Sequence, residues 1–197
     1  MVLFGIGNAL WAFDAPETGA PAAEIMDFYN DTSEGVVIGA TLSLIAVAAF
    51  VLFAAAVRRI LAQADSDDFL ATTAFGGALL ALGAGIGAES INMVGGLRAE
   101  DGELSEALAQ SLFEISQILG TTAAAVGIAV FAIATAAVSL RTRLILPRWL
   151  AFIVLVVGLS LLTPAAHILE WSGAAMMAVA LILAVTLLRA PVSDSSV

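Results

Sequence analysis

The sequence predicts an all-α fold, a polytopic transmembrane helical bundle of five full spans plus a short N-terminal hydrophobic helix. Three observations carry that reading. The 197 residues are 61% hydrophobic and 12% charged, with a mean hydropathy of +1.04, whereas a soluble domain is about half apolar and about a quarter charged. Uncharged stretches recur along the chain, and a bilayer core takes about 20 mainly apolar residues as a helix that satisfies its own backbone. The seven cationic residues, all Arg, gather at alternate ends of those stretches.

The spans follow in order. Gly35 to Val57 is uncharged and is closed by Arg58 and Arg59. Phe69 to Leu97 carries only Glu89, and Leu112 to Leu140 only Glu114. Trp149 to Leu169 holds His167, the single histidine, and Trp171 to Leu188 ends at Arg189. Val2 to Phe13 is apolar but about 18 Å long as a helix, too short to cross. It reads as a truncated span, a re-entrant half-helix or an interfacial anchor with Trp11 and Phe13 at headgroup level. Residues 14–34 form an acidic linker, within which Pro21 to Tyr29 suits a short surface helix, Ile25, Phe28 and Tyr29 sharing one stripe. The expected organisation is therefore 1–13, 14–34, a bundle over 35–189 and a tail over 190–197.

Arginine placement orients the bundle. Arg58, Arg59, Arg141, Arg143, Arg148 and Arg189 fall in connections that share one side, and Arg98 alone falls on the other. The positive-inside bias makes the former side cytoplasmic, in the cell membrane. Segment 14–34 is then extracytoplasmic and the C-terminus cytoplasmic. That segment has six acids and no base, and loop 98–110 is also acidic, so the outer face carries most of the net charge of −10.

Composition excludes whole classes of chemistry. With no Cys there is no disulfide, thiolate metal site, Fe–S cluster or thiol nucleophile. With no Lys there is no Schiff base, hence no retinal or PLP. The negative charge opposes nucleic acid, which needs a basic footprint. Haem is not expected, because His167 is alone; only a pair with Met93, Met176 or Met177, or a dimer, would serve. Phosphate-loop and nucleophile motifs are absent.

Lipid provides no hydrophobic drive between helices, so small residues mark their contacts. The second span holds Gly76, Gly77, Ala81, Gly83, Ala84, Gly85, Gly87 and Ala88, with Gly83 and Gly87 as a GxxxG pair. The third holds Gly120, Ala124, Gly127 and Ala134. These two helices are the expected centre of the bundle.

Ionisable groups inside spans cost about 2.5–3.5 kcal/mol at a helix centre, which makes them the place to look for function. Glu89 and Asn92 are i, i+3 on the second span, on the stripe of Gly85 and Ala81. Glu114 and Gln117 are i, i+3 on the third, and Thr163, His167 and Glu170 fall on one face of the fourth. Pro164 removes a backbone donor and is expected to leave the Ser160 carbonyl unpaired. All three groups lie in the same leaflet. They predict an outward-facing polar pocket of Glu89, Glu114 and His167, ringed by Asn92, Gln117 and Glu170. The competing reading is a structural clasp, with His167 bonded to Glu89 or Glu114.

Such a pocket has three candidate uses. Glu89, Glu114 and His167 are candidate ligands of a divalent metal, one His with carboxylates suiting a hard or borderline ion. Glu89 and His167 are candidate protonation sites of a small transporter. The favoured expectation is a non-catalytic binding or assembly module, in which the pocket and segment 14–34 receive a small ligand, a cation or a membrane partner, homo-oligomerisation being open.

Three stretches, AAEIMDFYNDTSEGVVIGA (22–40), TTAFGGALLALG (72–83) and LRTRLILPRWLAFIVLVVGL (140–159), together resemble the uncharacterised multi-pass membrane proteins of the DUF4386-like type from high-GC bacteria. The resemblance covers most of the chain and is topological. It implies a helical membrane bundle and no catalytic residues. Members of that type usually begin with a complete apolar helix, where this sequence has Val2 to Phe13.

Overall fold

A computed structural model describes residues 14–65, 68–142 and 146–163, and every element among them is a helix. The helices are α1 (Ala22–Ala64), α2 (Asp68–Glu100), α3 (Glu106–Gln117), a π-helical turn (Ile118–Ala123), α4 (Ala124–Thr142) and α5 (Arg148–Ser160). Because α3, the π turn and α4 run on without a break, three helices are long and apolar enough to cross a membrane: α1, α2 and Glu106–Thr142. At about 1.5 Å per residue each exceeds the roughly 30 Å of a bilayer core.

The helix boundaries depart from the expected ones at both ends. The short surface helix and the first span are a single helix, because nothing between Pro21 and Ala64 breaks it. The Pro21 carbonyl accepts the first bond, from the Ile25 N–H at 3.2 Å. In the polar stretch that follows, Thr32 turns its hydroxyl back onto the Phe28 carbonyl (2.6 Å), which lets a helix-indifferent residue sit inside a helix. At the other end, α5 has 13 residues and stops one turn before Pro164. The Ser160 carbonyl is not left unpaired there: it accepts both the N–H (3.0 Å) and the hydroxyl (2.7 Å) of Thr163. The expected continuation of the fourth span, the fifth span and the N-terminal hydrophobic helix lie outside the described residues.

Local sequence explains the turn between α2 and α3. Gly102, at φ +68, adopts the left-handed conformation that a side chain resists. The Glu103 N–H bonds the Arg98 carbonyl (2.9 Å) and the Gly102 N–H bonds the Ala99 carbonyl (3.1 Å), which is the Schellman closure of a helix C-terminus. Ser105 then caps α3, its hydroxyl accepting from the Leu108 N–H at 3.4 Å.

The described residues divide into two units, each with its own packing. One comprises those up to Ala54 together with Leu79–Gly127; the other is Ala55–Ala78 with those from Ile128 onward. In the first, the stripe of Ile25, Phe28 and Tyr29 turns inward and joins Val36, Leu104, Ala109 and Phe113 in a buried cluster. Phe28 meets Phe113 edge-on at 6.2 Å and Tyr29 at 5.3 Å, pairs worth about 0.5–1.5 kcal/mol each beyond their burial. In the second unit, Ala151, Val154, Gly158 and Leu161 form the buried stripe of α5. A Cβ on Gly158 would come within 3.0 Å of Ile133 and 3.1 Å of Ala132. At one end of that unit, Arg58 bridges Asp68 (2.6 Å) and Arg141 approaches Asp65 (3.8 Å). The first pair is half-exposed and contributes little.

Small residues do set close helix contacts, and the GxxxG pair takes part in them at one member only, a Cβ on Gly87 meeting Leu119 at 3.2 Å. Gly83 has nothing within 4 Å of where a Cβ would be, and neither has Gly85. The tight approach is at Gly95 and Gly96. A Cβ on Gly95 would stand 2.5 Å from the ring of Tyr29, and one on Gly96 would stand 2.9 Å from Val37 and 3.0 Å from the Ser33 carbonyl. Burial also singles out one helix of the expected pair. In Glu106–Thr142, 61% of the most apolar stretch is buried, against 28% in α2.

Two glycine substitutions separate these readings. Gly95→Ala is expected to destabilise the protein by about 1–3 kcal/mol, the usual cost of overpacking against a ring that cannot move. Gly83→Ala is expected to be neutral or to stabilise by up to about 1 kcal/mol through helix propensity. Thermal unfolding in detergent, followed by circular dichroism, measures both.

Candidate functional site

Helical spacing delivers four polar side chains to one buried interface of the first unit. On α1, Tyr29, Val36 and Ser43 are seven residues apart, two turns each, and all three are at most 1% exposed. On α2, Glu89 and Asn92 are one turn apart and both are 6% exposed. The contact of Gly95 and Gly96 with α1 brings these faces together. The Tyr29 hydroxyl donates to Asn92 Oδ1 at 3.4 Å, and the Ser43 hydroxyl donates to the Glu89 carboxylate.

Glu89 is left incompletely satisfied. Its Oε2 is buried and has no hydrogen-bond partner. An unmet buried polar atom costs about 1–3 kcal/mol, and more where it carries charge, so this oxygen is the least explained atom of the interface.

The π turn lies against the same stretch of α2. A Cβ on Gly87 would touch Leu119 at 3.2 Å, and one on Gly120 would touch Ala88 at 3.5 Å. The Thr121 hydroxyl caps the Gln117 carbonyl at 2.6 Å. π turns are rare in helices and concentrate at functional sites, and this one sits beside the residue preceding Glu89.

The remaining expected site residues are placed differently. Glu114 accepts from Gln110 Nε2 at 2.9 Å, a bond within its own helix. The five-residue connection 101–105 makes α2 and α3 an antiparallel pair, and Ala88 lies beside Gly120. At about 1.5 Å per residue, Glu114 therefore stands roughly 7 Å further along the axis than Glu89, toward the 101–105 connection. Gln117 is half-buried at the start of the π turn. His167 and Glu170 lie outside the described residues. Among the described residues, no three His, Cys, Asp or Glu side chains come together as a metal site. Around Glu89 the structure thus assembles a packed interface with Ser43, Asn92 and Tyr29. A hollow of about 440 Å³ lies elsewhere among the described residues, lined by Asp14, Glu17, Thr18, Gly19, Pro21 and Glu24 among others.

Ser43 and Tyr29 are the members that the sequence reading missed. The seven-residue spacing of Tyr29, Val36 and Ser43 was visible, but it counts only once α1 is known to be continuous from Ala22.

No known protein family model, curated protein or solved structure matches the chain, so the site is interpreted from its own geometry.

A double-mutant cycle tests the Ser43–Glu89 bond. Ser43→Ala alone is expected to destabilise by about 1–3 kcal/mol, because it leaves the carboxyl without any partner. In a Glu89→Met background the same change is expected to cost less. A coupling below about 0.3 kcal/mol, within ordinary additivity, would remove the bond from the account.

Proposed function

We propose that the chain is an integral membrane protein acting as a non-catalytic binding and assembly module, with its acidic end outside the cell membrane and its C-terminus in the cytoplasm. The observation that carries this reading is the build of the acidic end. Glu24, Asp27, Asp31 and Glu34 on α1 and Glu100, Asp101, Glu103 and Glu106 around the Gly102 turn are all exposed. They flank in sequence the residues of a buried cluster that includes Phe28, Tyr29 and Leu104. The one base there among the described residues, Arg98, is held by Glu103 at 2.6 Å. A rigid, strongly anionic platform attracts cations or a basic segment of a membrane partner. The five-span topology, the sidedness taken from the arginines and the DUF4386-like resemblance belong to the same proposal.

A second reading, in which Glu89, Glu114 and His167 serve a cation-dependent enzyme or an ion- or proton-coupled transporter, is favoured by one observation. The buried Oε2 of Glu89 lacks a partner, and an intramembrane carboxylate is costly enough to imply a use.

Because the chain has no Cys, Asn30→Cys provides a single label. In right-side-out vesicles an impermeant maleimide is expected to modify it from outside; labelling only after the vesicles are opened overturns the orientation. Divalent cations are expected to raise the unfolding midpoint of the purified protein, adding about 1.4 kcal/mol of stability at ten times the dissociation constant. Neutralising Asp27, Asp31, Glu100 and Asp101 together is expected to abolish that rise, while Glu89→Ala keeps it. A rise that survives the fourfold change rejects the platform, and one lost with Glu89→Ala moves the cation site to Glu89.

A further inference from the structure

We propose that the ligand of Glu89 is a proton, taken up and released at Oε2 while Ser43 holds the other carboxyl oxygen. The inference rests on the second reading above, that Glu89 is used, and identifies what it binds. In the step, a lone pair on Oε2 forms an O–H bond with a proton from hydronium, whose own O–H bond breaks to leave water, and the carboxylate becomes the neutral acid. Release to water reverses both changes.

The count of oxygens separates a proton from a metal ion. Calcium takes six to eight oxygen ligands and magnesium a near-ideal octahedron. Glu89 offers one free carboxyl oxygen. Counting with it the Ser43 hydroxyl, which bonds the same carboxyl, and the Asn92 amide oxygen, which accepts from Tyr29, brings the set to three oxygens, short of either requirement. Among the described residues no second or third carboxylate completes a ligand set. A proton needs a single lone pair.

The charged groups around the interface leave the same opening. From α1 the titratable group that joins the interface is the Tyr29 hydroxyl, which is bonded to Asn92, Glu34 being exposed. From α3 it is Glu114, roughly 7 Å away along the axis and engaged with Gln110. On α2 itself Arg98 is nine residues further on and is paired with Glu103. No cation among the described residues neutralises Glu89 by an ion pair. In an apolar interior an uncompensated charge is far costlier than a neutral group, so the proton supplies what no side chain does. The adjoining π turn, through Leu119 and Gly120, gives the change in charge a backbone element to act on.

Infrared difference spectroscopy of the full chain in lipid nanodiscs, between acidic and alkaline buffer, tests this. Wild type is expected to show a buried carboxylic C=O band that Glu89→Gln removes and that Ser43→Ala moves to higher frequency, because the hydrogen bond on the carboxyl is gone. Identical spectra for wild type and Glu89→Gln overturn the proposal. Should Glu89→Gln not fold, the Ser43→Ala shift decides alone, and an unshifted band overturns it. Replacing choline chloride by sodium chloride at fixed pH is expected to leave the unfolding midpoint unchanged; a sodium rise lost in Glu89→Gln overturns the proton in favour of a metal ion. A missing Glu89 band beside an intact divalent response of the acidic platform would sink this inference and leave the binding-module reading standing.

Discussion

The approach of α1 to α2 at Gly95 and Gly96 sets the register on which the first unit depends. The Tyr29 ring and the Ser33 carbonyl lie where Cβ atoms would otherwise be, so the two backbones come closer than any larger residue allows. With that contact made, the rest of the interface follows from helical spacing. Two turns further along α1 from Val36 is Ser43, and about two turns back along α2 from Gly96 is Glu89. Between them Asn92 receives the Tyr29 hydroxyl. A single added methyl at Gly95 would act on the packing of Tyr29 and on the polar pairs together.

The interface combines contacts that stabilise with one that does not. The aromatic cluster of Phe28, Tyr29 and Phe113 buries large rings at the acidic end, where α1 continues past the uncharged stretch. Deeper along the helices the packing surfaces are small and partly polar: Ala40, Ser43 and Ala46 on α1, Ala84, Ala88 and Glu89 on α2. Glu89 is retained there with one bonded oxygen and one bare. Leucine or methionine would fill comparable space without that penalty, and a purely structural clasp would engage both oxygens. The π turn alongside repeats the pattern, a local departure from the most stable helix at the level of the same carboxyl.

Much of this was legible in the chain. Apolar length and the scarcity of charge identify α1, α2 and Glu106–Thr142, since a helix in an apolar medium must bond its own backbone. The singular position of Glu89 in an otherwise uncharged stretch marked it for attention. The GxxxG pair is half informative, because small residues permit a close contact without requiring one: Gly87 meets Leu119 while Gly83 faces open space, and a tighter approach is made at Gly95 and Gly96. The linker and first span were separated at the polar run 30–34, although Thr32 bonds back to Phe28 and keeps the helix intact. Glu89 and Glu114 both fall near the same ends of their helices in sequence, but the register in which Ala88 meets Gly120 offsets them by roughly 7 Å along the axis.

What the sequence by itself determined is the material: helical spans, an acidic end, no thiol or amine chemistry, and a carboxylate where carboxylates are expensive. Those follow from composition and local periodicity, which act over a few residues and need no partner. Only the tertiary structure decided which glycines are contacts, that Ser43 is the residue that answers Glu89, that Tyr29 closes on Asn92, and that a π turn lies beside them. Each of those depends on register and rotation between helices far apart in the chain. Such quantities are fixed by whether particular side chains fit against one another, and no residue carries that information alone.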